Sequence, residues 1–352
     1  MGRRLIVVVC VSSLMWTVGP PSPSHAAAGD ILVSDPSAFG GLSGIFRVDS
    51  ANQQSTVVQG GGDVTNLEGI ALEADGSIVA AETESSDGNG AIFRINPLTG
   101  AFTKLASGGD IVNPLGIDVA PNGDIFVADD SAFSDNGGVF KVNPASGAIS
   151  EISQDTVFEE PSGVVFEPAT GDLLVVDAES DAGTGGVYRV DISTGTATPL
   201  SENDNFIDPY GIALEGNGMI LVADRDETDG GMIIRVDPSN GDQSIVTADP
   251  DLAEPRGVAV QANGNILIAD RDAGPSESGA LFRVVPPSTD VELITSGGNL
   301  DNPFGVAVEE PFDLTPSISK PKAKEGKRAK FKVTLSAPPN DEVTYQVDTQ
   351  KG

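Results

Sequence analysis

Three arginines follow a pattern that suits the binding of an anion. Arg225 and Arg271 lie 46 residues apart, and each directly follows an aspartate that ends an apolar run. Arg256 lies between them and precedes a Gly-Val step. Guanidinium groups bind carboxylates and phosphates through paired hydrogen bonds, so this trio is a candidate anion site. The alternative is that the arginines neutralise the aspartates beside them in the sequence, which is the commoner role of a surface arginine.

A second candidate site is a calcium loop in residues 223–231. Asp224, Asp226 and Asp229 precede Gly230 there, one residue out of step with the D-x-D-x-D-G pattern in which alternate oxygens face one Ca²⁺. The alternative is a solvated turn rich in aspartate. Calcium is the only cofactor for which the sequence offers candidate ligands.

A repeat of 46 to 48 residues positions these side chains. Each copy begins with a Gly-Ile or Gly-Val step, at Gly69, Gly116, Gly163, Gly211, Gly257 and Gly305. Four copies continue with an Asn-Gly or Asp-Gly turn, which suits a tight hairpin. Three further apolar runs follow each of the first five steps, and no helical periodicity separates them. Four short strands per copy are typical of a propeller blade, so the sequence predicts an all-β, six-bladed β-propeller.

The two ends of the repeat region predict how the ring closes. The sixth Gly-Val strand, residues 305–308, has no second, third or fourth strand after it. The chain begins with those three and lacks a first, in residues 30–35, 44–48 and 55–59. We therefore expect the N-terminal strands to complete the last blade, which hides strand edges that would otherwise aggregate.

The phase of the repeat places a candidate ligand site at the mouth of the central channel. The residue before each repeat glycine is expected at the channel edge, and these channel-edge residues are Glu68, Leu115, Ser162, Tyr210, Arg256 and Phe304. Arg256 thus has an aromatic residue one blade away on either side. Arg225 and Arg271 fall in loops on the same face. The predicted ligand-binding residues are Glu68, Tyr210, Arg225, Arg256, Arg271 and Phe304.

Two further sets of charges recur once per blade. The second strands end in acids, Asp35, Glu82, Asp129, Asp177, Asp224 and Asp270. The third strands carry bases, Arg47, Arg94, Lys141, Arg189, Arg235 and Arg283. A binding site in a repeat protein normally uses residues that differ from one repeat to the next. This regularity therefore predicts a structural role, in ion pairs and turn hydrogen bonds that lock neighbouring strands.

The start of the chain and its net charge indicate where the protein is located and which partners are disfavoured. Residues 1–28 have the form of a secretory signal peptide: a basic start, an apolar core of 14 residues and a small-residue cleavage site. Its removal leaves 52 acidic against 18 basic residues and no histidine, cysteine or tryptophan. Such a negative field disfavours nucleic acid and anionic membrane as partners. We expect a secreted, periplasmic or cell-surface protein with a monomeric propeller.

Residues 312–352 differ in composition from the repeats. Seven lysines and arginines fall within residues 320–332. The run SISKPKAKEGKRAKFKVTLS is similar to the opening strands of a Calx-beta domain. The segment is too short to close a β-sandwich of about 100 residues, so it is predicted to be an incomplete module.

The repeat pattern P-x-G-[IV]-x-[LV]-x-x-[DN]-G resembles NHL-type and TolB-like propellers across residues 29–311. Streptogramin lyases and gluconolactonases share this architecture. The former rely on histidine, which the exported chain lacks, and the latter hold a metal with carboxylates at channel-edge positions, where Glu68 is the only carboxylate. No catalytic residue is therefore predicted.

The function expected from these observations is binding without catalysis. The predicted partner is an anionic small molecule, or an extracellular protein or glycan. The alternative is a lyase or lactonase with a rebuilt site around Glu68, Tyr210 and Arg256.

Overall fold

The computed structural model describes residues 4–9, 29–38, 42–49, 55–60, 64–83, 88–179, 185–225, 230–274, 278–298, 300–309, 317–318, 333–334 and 344–349. The chain divides into two compact units. One contains residues 29–310 and the other contains residues 1–28 together with residues 311–352. The predicted calcium ligands Asp226 and Asp229 lie outside the described residues.

The larger unit contains six four-stranded antiparallel sheets, so the predicted all-β six-bladed propeller is confirmed. We number the blades by the order of their inner strands along the chain. From the inner to the outer edge, the strands are Leu67–Leu72, Ile78–Glu82, Ala91–Ile95 and Phe102–Ser107 in blade 1; Pro114–Val119, Ile125–Asp129, Gly138–Val142 and Ile149–Ser153 in blade 2; Pro161–Glu167, Asp172–Asp177, Gly186–Val190 and Ala197–Glu202 in blade 3; Pro209–Leu214, Ile220–Asp224, Met232–Val236 and Gln243–Thr247 in blade 4; Pro255–Val260, Ile266–Asp270, Ala280–Val284 and Val291–Ser296 in blade 5; and Val306–Val308, Ile31–Asp35, Gly44–Val48 and Ser55–Gly60 in blade 6.

The two ends of the ring meet in blade 6, as predicted. Ile31 pairs with Val308 and Val33 with Val306 in antiparallel register. The Glu309 carboxylate accepts hydrogen bonds from Nε and Nη2 of Arg47 at 2.5 and 2.6 Å. Backbone pairing and a two-pronged ion pair therefore join residues that are far apart in the sequence.

The second strand of every blade is buried along its length, apart from Asp172 at the start of the one in blade 3, which explains its nearly continuous apolar sequence. Each face of a blade packs against a neighbouring blade. One core cluster, for example, joins Leu221 and Ala223 of blade 4 to Val258 and Ile266 of blade 5. Burial on both faces favours an unbroken apolar run over an alternating one.

The repeat glycines lie where neighbouring inner strands touch. A Cβ atom added at Gly163 would lie 2.5 Å from the backbone oxygen of Tyr210 in the next blade, and one at Gly116 would lie 2.8 Å from that of Ser162. The other repeat glycines meet the backbone oxygen of the next channel-edge residue in the same way, all below 3 Å. Only glycine permits this approach, and the contact recurs around the closed ring.

The structure describes one short α-helix in the propeller, Ala132–Asp135, in a loop of blade 2. In the other unit, Arg4–Val9 pairs in parallel with Thr344–Thr349, and Ser317–Ile318 pairs antiparallel with Val333–Thr334. Among the described residues, no helix is both long and apolar enough to cross a membrane. The signal peptide and the Calx-beta-like segment stay predictions.

The glycine contact can be tested by adding one methyl group. We expect Gly163→Ala to lower the free energy of unfolding by about 1–3 kcal/mol, the usual effect of overpacking, since the new Cβ meets a backbone oxygen that cannot turn aside. Gly216→Ala is the matched control, because a Cβ there meets no atom within 4 Å. Chemical denaturation of both variants measures the difference, and equal stabilities would show that the ring has room for a side chain.

Candidate functional site

Four of the six channel-edge residues occupy β-bulges in the inner strands. In blade 4, Pro209 pairs with Asp224 and Gly211 with Ala223, so Tyr210 is left without a cross-strand partner. The same register shift surrounds Leu115, Ser162 and Arg256 in blades 2, 3 and 5. A bulge re-aims the side chain of its extra residue, which frees this position from the alternation of the strand.

Arg256 is the centre of an aromatic and cationic cluster. Its Cζ atom lies 4.1 Å from the ring centroid of Tyr210 and 5.9 Å from that of Phe304. The two rings meet edge to face, with centroids 5.8 Å apart. Arg225 approaches Tyr210 as well, with 5.0 Å between its Cζ atom and the ring centroid. Such distances are typical of cation–π contacts, which strengthen when water is excluded.

Carboxylates from the loops before the inner strands pair with these arginines. Arg225 forms an ion pair with Asp208. Nη2 of Arg256 lies 3.3 Å from Oε2 of Glu254, and Nη1 of Arg271 lies 3.6 Å from the same oxygen. The sequence suggested the flanking aspartates as the neutralising acids. Of these aspartates, Asp272 lies 3.8 Å from Arg271. The shorter ion pairs of the three arginines are formed with Asp208 and Glu254.

The sequence interpretation missed the position that supplies these acids. This position lies two residues before the channel-edge residue of each blade, and it is polar in all six blades. Its residues are Asn66, Asn113, Glu160, Asp208, Glu254 and Asn302. Its side chain often contacts the residue that follows the ring acid: Asn113 Nδ2 donates to Asp130 Oδ1 at 2.7 Å, for example. Aligning the copies at this position would have identified it.

One atom of the cluster lacks a partner. Arg256 is 5% exposed, and its Nε has no hydrogen-bond partner in the part of the chain that the structure describes. An unsatisfied buried donor costs about 1–3 kcal/mol, and more when it is charged. This donor is the feature of the cluster that most needs a ligand to explain it.

Tyr210 is held in its protonated form. Burial raises the pKa of its hydroxyl, and the charge of Glu68 adds to that effect, while Arg256 and Arg225 oppose it. The predicted residues Tyr210, Arg225, Arg256 and Phe304 therefore lie together. Glu68 acts on Tyr210 through its charge, and Arg271 joins the cluster through Glu254. Their role in ligand binding stays a prediction.

The ring acids serve the backbone rather than a ligand. Asp177 accepts hydrogen bonds from the backbone N–H groups of Glu159 and Glu160 at 3.0 and 3.2 Å. Asp224, a predicted calcium ligand, likewise accepts from the N–H groups of Ile207 and Asp208 and is fully buried. Among the described residues, no group of three His, Cys, Asp or Glu side chains is placed to hold a metal ion.

The third-strand bases pair with acids at the opposite end of the blades from the ring acids. Their partners lie near the hairpin between the first and second strands in most blades. The ion pairs are Arg47–Glu309, Arg94–Glu73, Lys141–Asp124, Arg189–Glu167, Arg235–Glu215 and Arg283–Glu292. The two charged rings thus stabilise separate parts of each blade and leave the arginines at the channel mouth as a distinct group.

Two surface grooves lie outside this cluster, although the second borders Asp272, which contacts Arg271. One, of about 420 Å³, is lined by Arg189, Thr194 and Thr196 at the outer edge of blade 3. The other, of about 440 Å³, lies beside Asp251 and Asp272 in blade 5. Neither is lined by a buried polar atom that lacks a partner among the described residues, so the channel mouth remains the better candidate site.

Comparison with known proteins identifies the architecture alone. The chain matches no protein-family model. It also matches none of the curated proteins. Among solved structures it is similar to a nidogen/laminin complex, with a TM-score of 0.63 and 15% identity over 79% of this chain and 97% of that one.

Two bacterial structures are similar to it as well. TolB from Acinetobacter baumannii has a TM-score of 0.62 and 16% identity, over 82% of this chain and 68% of that one. A periplasmic gluconolactonase from Pseudomonas aeruginosa has a TM-score of 0.56 and 16% identity, over 81% of this chain and 100% of that one. At such identities the similarity shows the six-bladed propeller fold, which TolB and lactonases share, and no activity. The NHL assignment stays a prediction.

The buried ring acids predict a dependence of stability on pH. Burial raises the pKa of Asp177 to about 7 and those of Asp129 and Asp270 to about 6, from the ordinary value of 3.8. A raised folded-state pKa means that the folded protein binds these protons more tightly, so stability is lost as the pH rises through 6 to 7. We expect the free energy of unfolding to be higher at pH 5.5 than at pH 8.

Asp177→Asn separates this effect from the overall negative charge. It should remove about 1 kcal/mol or more of the difference between the two pH values, because one unit of pKa displacement corresponds to about 1.4 kcal/mol. Denaturant titrations at both pH values measure it, with the exposed Asp204→Asn as the control of equal charge. The same pH dependence in both variants would contradict the role of Asp177.

Proposed function

We propose that the chain is an exported, non-catalytic propeller that binds an anionic small molecule at the mouth of its central channel. Arg256 makes the principal contact, and Arg225 and Arg271 add positive charge on the same face. Export agrees with the predicted signal peptide and with the periplasmic lactonase among the similar structures.

The observation that carries the proposal is the buried Nε donor of Arg256, for which the described residues offer no hydrogen-bond partner. The rings of Tyr210 and Phe304 lie against the same guanidinium group. An anion at the mouth would supply the acceptor, with a charge-assisted hydrogen bond stronger than a neutral one. Tyr210 is partly exposed, so its side of the cluster is within reach of a ligand.

The distribution of charge supports the same location. The protein has a formal net charge of −32, and its third-strand bases are held in ion pairs away from the mouth. Arg225, Arg256 and Arg271 are gathered instead at the mouth, where Asp208 and Glu254 pair with them but leave the Nε donor of Arg256 to a ligand. Oriented guanidinium groups select anions both by charge and by geometry.

The site offers little to a catalytic mechanism. Residues 29–352 contain no histidine, and the raised pKa of Tyr210 works against its use as a base. A lyase or lactonase centred on Glu68, Tyr210 and Arg256 is supported by fold alone, which does not carry function. We keep it as an outcome of the experiment below.

A panel of anions tests the proposal on the exported form of the protein, residues 29–352. Calorimetric titration with phosphate, benzoate, succinate and gluconate should find at least one that binds. Arg256→Gln should weaken that binding at least ten-fold, equivalent to about 1.4 kcal/mol, because the ligand loses a charged donor. Arg283→Gln is the matched control, since Arg283 lies in the third strand of blade 5 and pairs with Glu292, an exposed carboxylate in the outer strand.

Two results would overturn the proposal. One is binding that Arg256→Gln leaves unchanged. The other is hydrolysis of gluconolactone that depends on Arg256 or Glu68, which would establish the enzymatic alternative instead.

A further inference from the structure

We infer that the ligand of this mouth is an aromatic monocarboxylate, with its carboxylate on Nε of Arg256 and its ring against Tyr210 and Phe304. The inference rests on the proposed function, which leaves the kind of anion open. It limits the ligand to one negative charge, adds an aromatic body, and gives Tyr210 and Phe304 a role in recognition.

The charges at the mouth favour a ligand with a single negative charge. Asp208 pairs with Arg225. Glu254 pairs with both Arg256 and Arg271. Three guanidinium groups paired with two carboxylates leave at most one positive charge over. A dianion such as succinate would bring a second negative charge close to these carboxylates, where partial burial strengthens the repulsion. The formal net charge of −32 acts in the same direction.

Two aromatic rings border the donor that lacks a partner. Cζ of Arg256 lies 4.1 Å from the ring centroid of Tyr210 and 5.9 Å from that of Phe304. Arg256 is buried, whereas both aromatic residues are partly exposed. A ligand whose carboxylate reaches Nε of Arg256 therefore brings the rest of its body against these two rings.

The orientation of the two rings suits a third ring better than a saturated group. Tyr210 and Phe304 meet edge to face, with an interplanar angle of 77° and 5.8 Å between their centroids. Their faces therefore point in different directions, so a ligand ring that stacks on one of them presents its edge to the other. Both arrangements are favoured between aromatic groups and contribute more than the burial of the same apolar area.

Apolar surface continues from the mouth along the inner strand of blade 4. The strand Pro209–Leu214 is partly exposed from Tyr210 to its end, and the side chains of Ile212, Ala213 and Leu214 carry no polar atom. The inner strands of blades 3 and 5 are buried over their first four residues. Neighbouring blades cover both faces of an inner strand, so its exposed surface faces the channel. An aromatic body thus meets apolar surface on this side of the channel, as is usual in small-molecule sites.

Matched ligands separate the ring from the charge. We would titrate the exported form, residues 29–352, by calorimetry with benzoate, cyclohexanecarboxylate, benzamide and terephthalate. Benzoate should bind about two- to ten-fold more tightly than cyclohexanecarboxylate, which has the charge but no aromatic ring. Benzamide and terephthalate should bind at least about ten-fold more weakly than benzoate, because the first lacks the charge and the second adds one that is repelled.

Variants assign the ring of the ligand to its place. Phe304→Leu and Tyr210→Leu each keep an apolar side chain and remove one ring. Each should reduce the preference for benzoate over cyclohexanecarboxylate and leave the binding of cyclohexanecarboxylate within about two-fold, because only an aromatic contact is lost. Either variant tests the contact alone if the other does not fold.

Phe102→Leu is the matched control for both variants. Phe102 meets Phe93 edge to face, also with 5.8 Å between the ring centroids, but it lies in the outer strand of blade 1. Its replacement should change the binding of neither benzoate nor cyclohexanecarboxylate.

The outcomes separate this inference from the proposed function. If benzoate binds no more tightly than cyclohexanecarboxylate, the aromatic body is wrong and the anion site stands. If terephthalate, succinate or phosphate binds more tightly than benzoate, the limit of one charge is wrong and the anion site again stands. If the preference for benzoate survives unchanged in both ring variants, the ligand ring lies elsewhere and the inference fails. If no anion binds, or if Arg256→Gln leaves the binding of benzoate unchanged, the inference and the proposed function both fail.

Discussion

The close approach of neighbouring inner strands is the contact on which the whole ring depends. At each repeat glycine the backbone of one blade lies against a backbone oxygen of the next, with no room for a Cβ atom. The prolines two residues earlier take part in the same packing: Gly137 and Gly185 each lie against the proline of the following blade, Pro161 and Pro209. The P-x-G pattern is therefore an interface between blades, and packing holds its glycine in all six copies and its proline in all but blade 1, which has Leu67 instead. The middle residue varies most.

The bulge gives that middle residue its freedom. Because it has no cross-strand partner, it can be leucine, serine, tyrosine or arginine without disturbing the sheet. The regular features of the blade have the opposite character. Ring acids such as Asp177 hold the loop before the inner strand, and pairs such as Arg189–Glu167 join strands at the other end. Regular positions stabilise the ring, and the irregular ones, where Tyr210 and Arg256 lie, distinguish one blade from another.

The period of the sequence was sufficient to predict the blades, the closure in blade 6 and the meeting of Arg256 with Tyr210 and Phe304, because phase alone sets position around a closed ring. The period was insufficient to predict which carboxylate would form an ion pair with each arginine. Arg225 is adjacent in sequence to Asp224, yet Asp224 is turned inward to bind backbone N–H groups, so the pair forms with Asp208. Such choices depend on side-chain directions that a one-dimensional pattern does not contain. The free Nε of Arg256 was beyond sequence reasoning for the same reason.

The fold does not require a charge at the position of Arg256. Leu115 and Ser162 fill the equivalent bulges of blades 2 and 3, where they are buried and uncharged, and the same glycine contacts form beside them. An arginine in this place is desolvated and leaves a donor unpaired, at about 1–3 kcal/mol. Its pairing with Glu254 and its contact with Tyr210 offset part of that penalty without satisfying Nε. Blades 2 and 3 show that neutral residues satisfy the scaffold at this position, and the cost of an arginine here is the physical reason for proposing a ligand at Arg256.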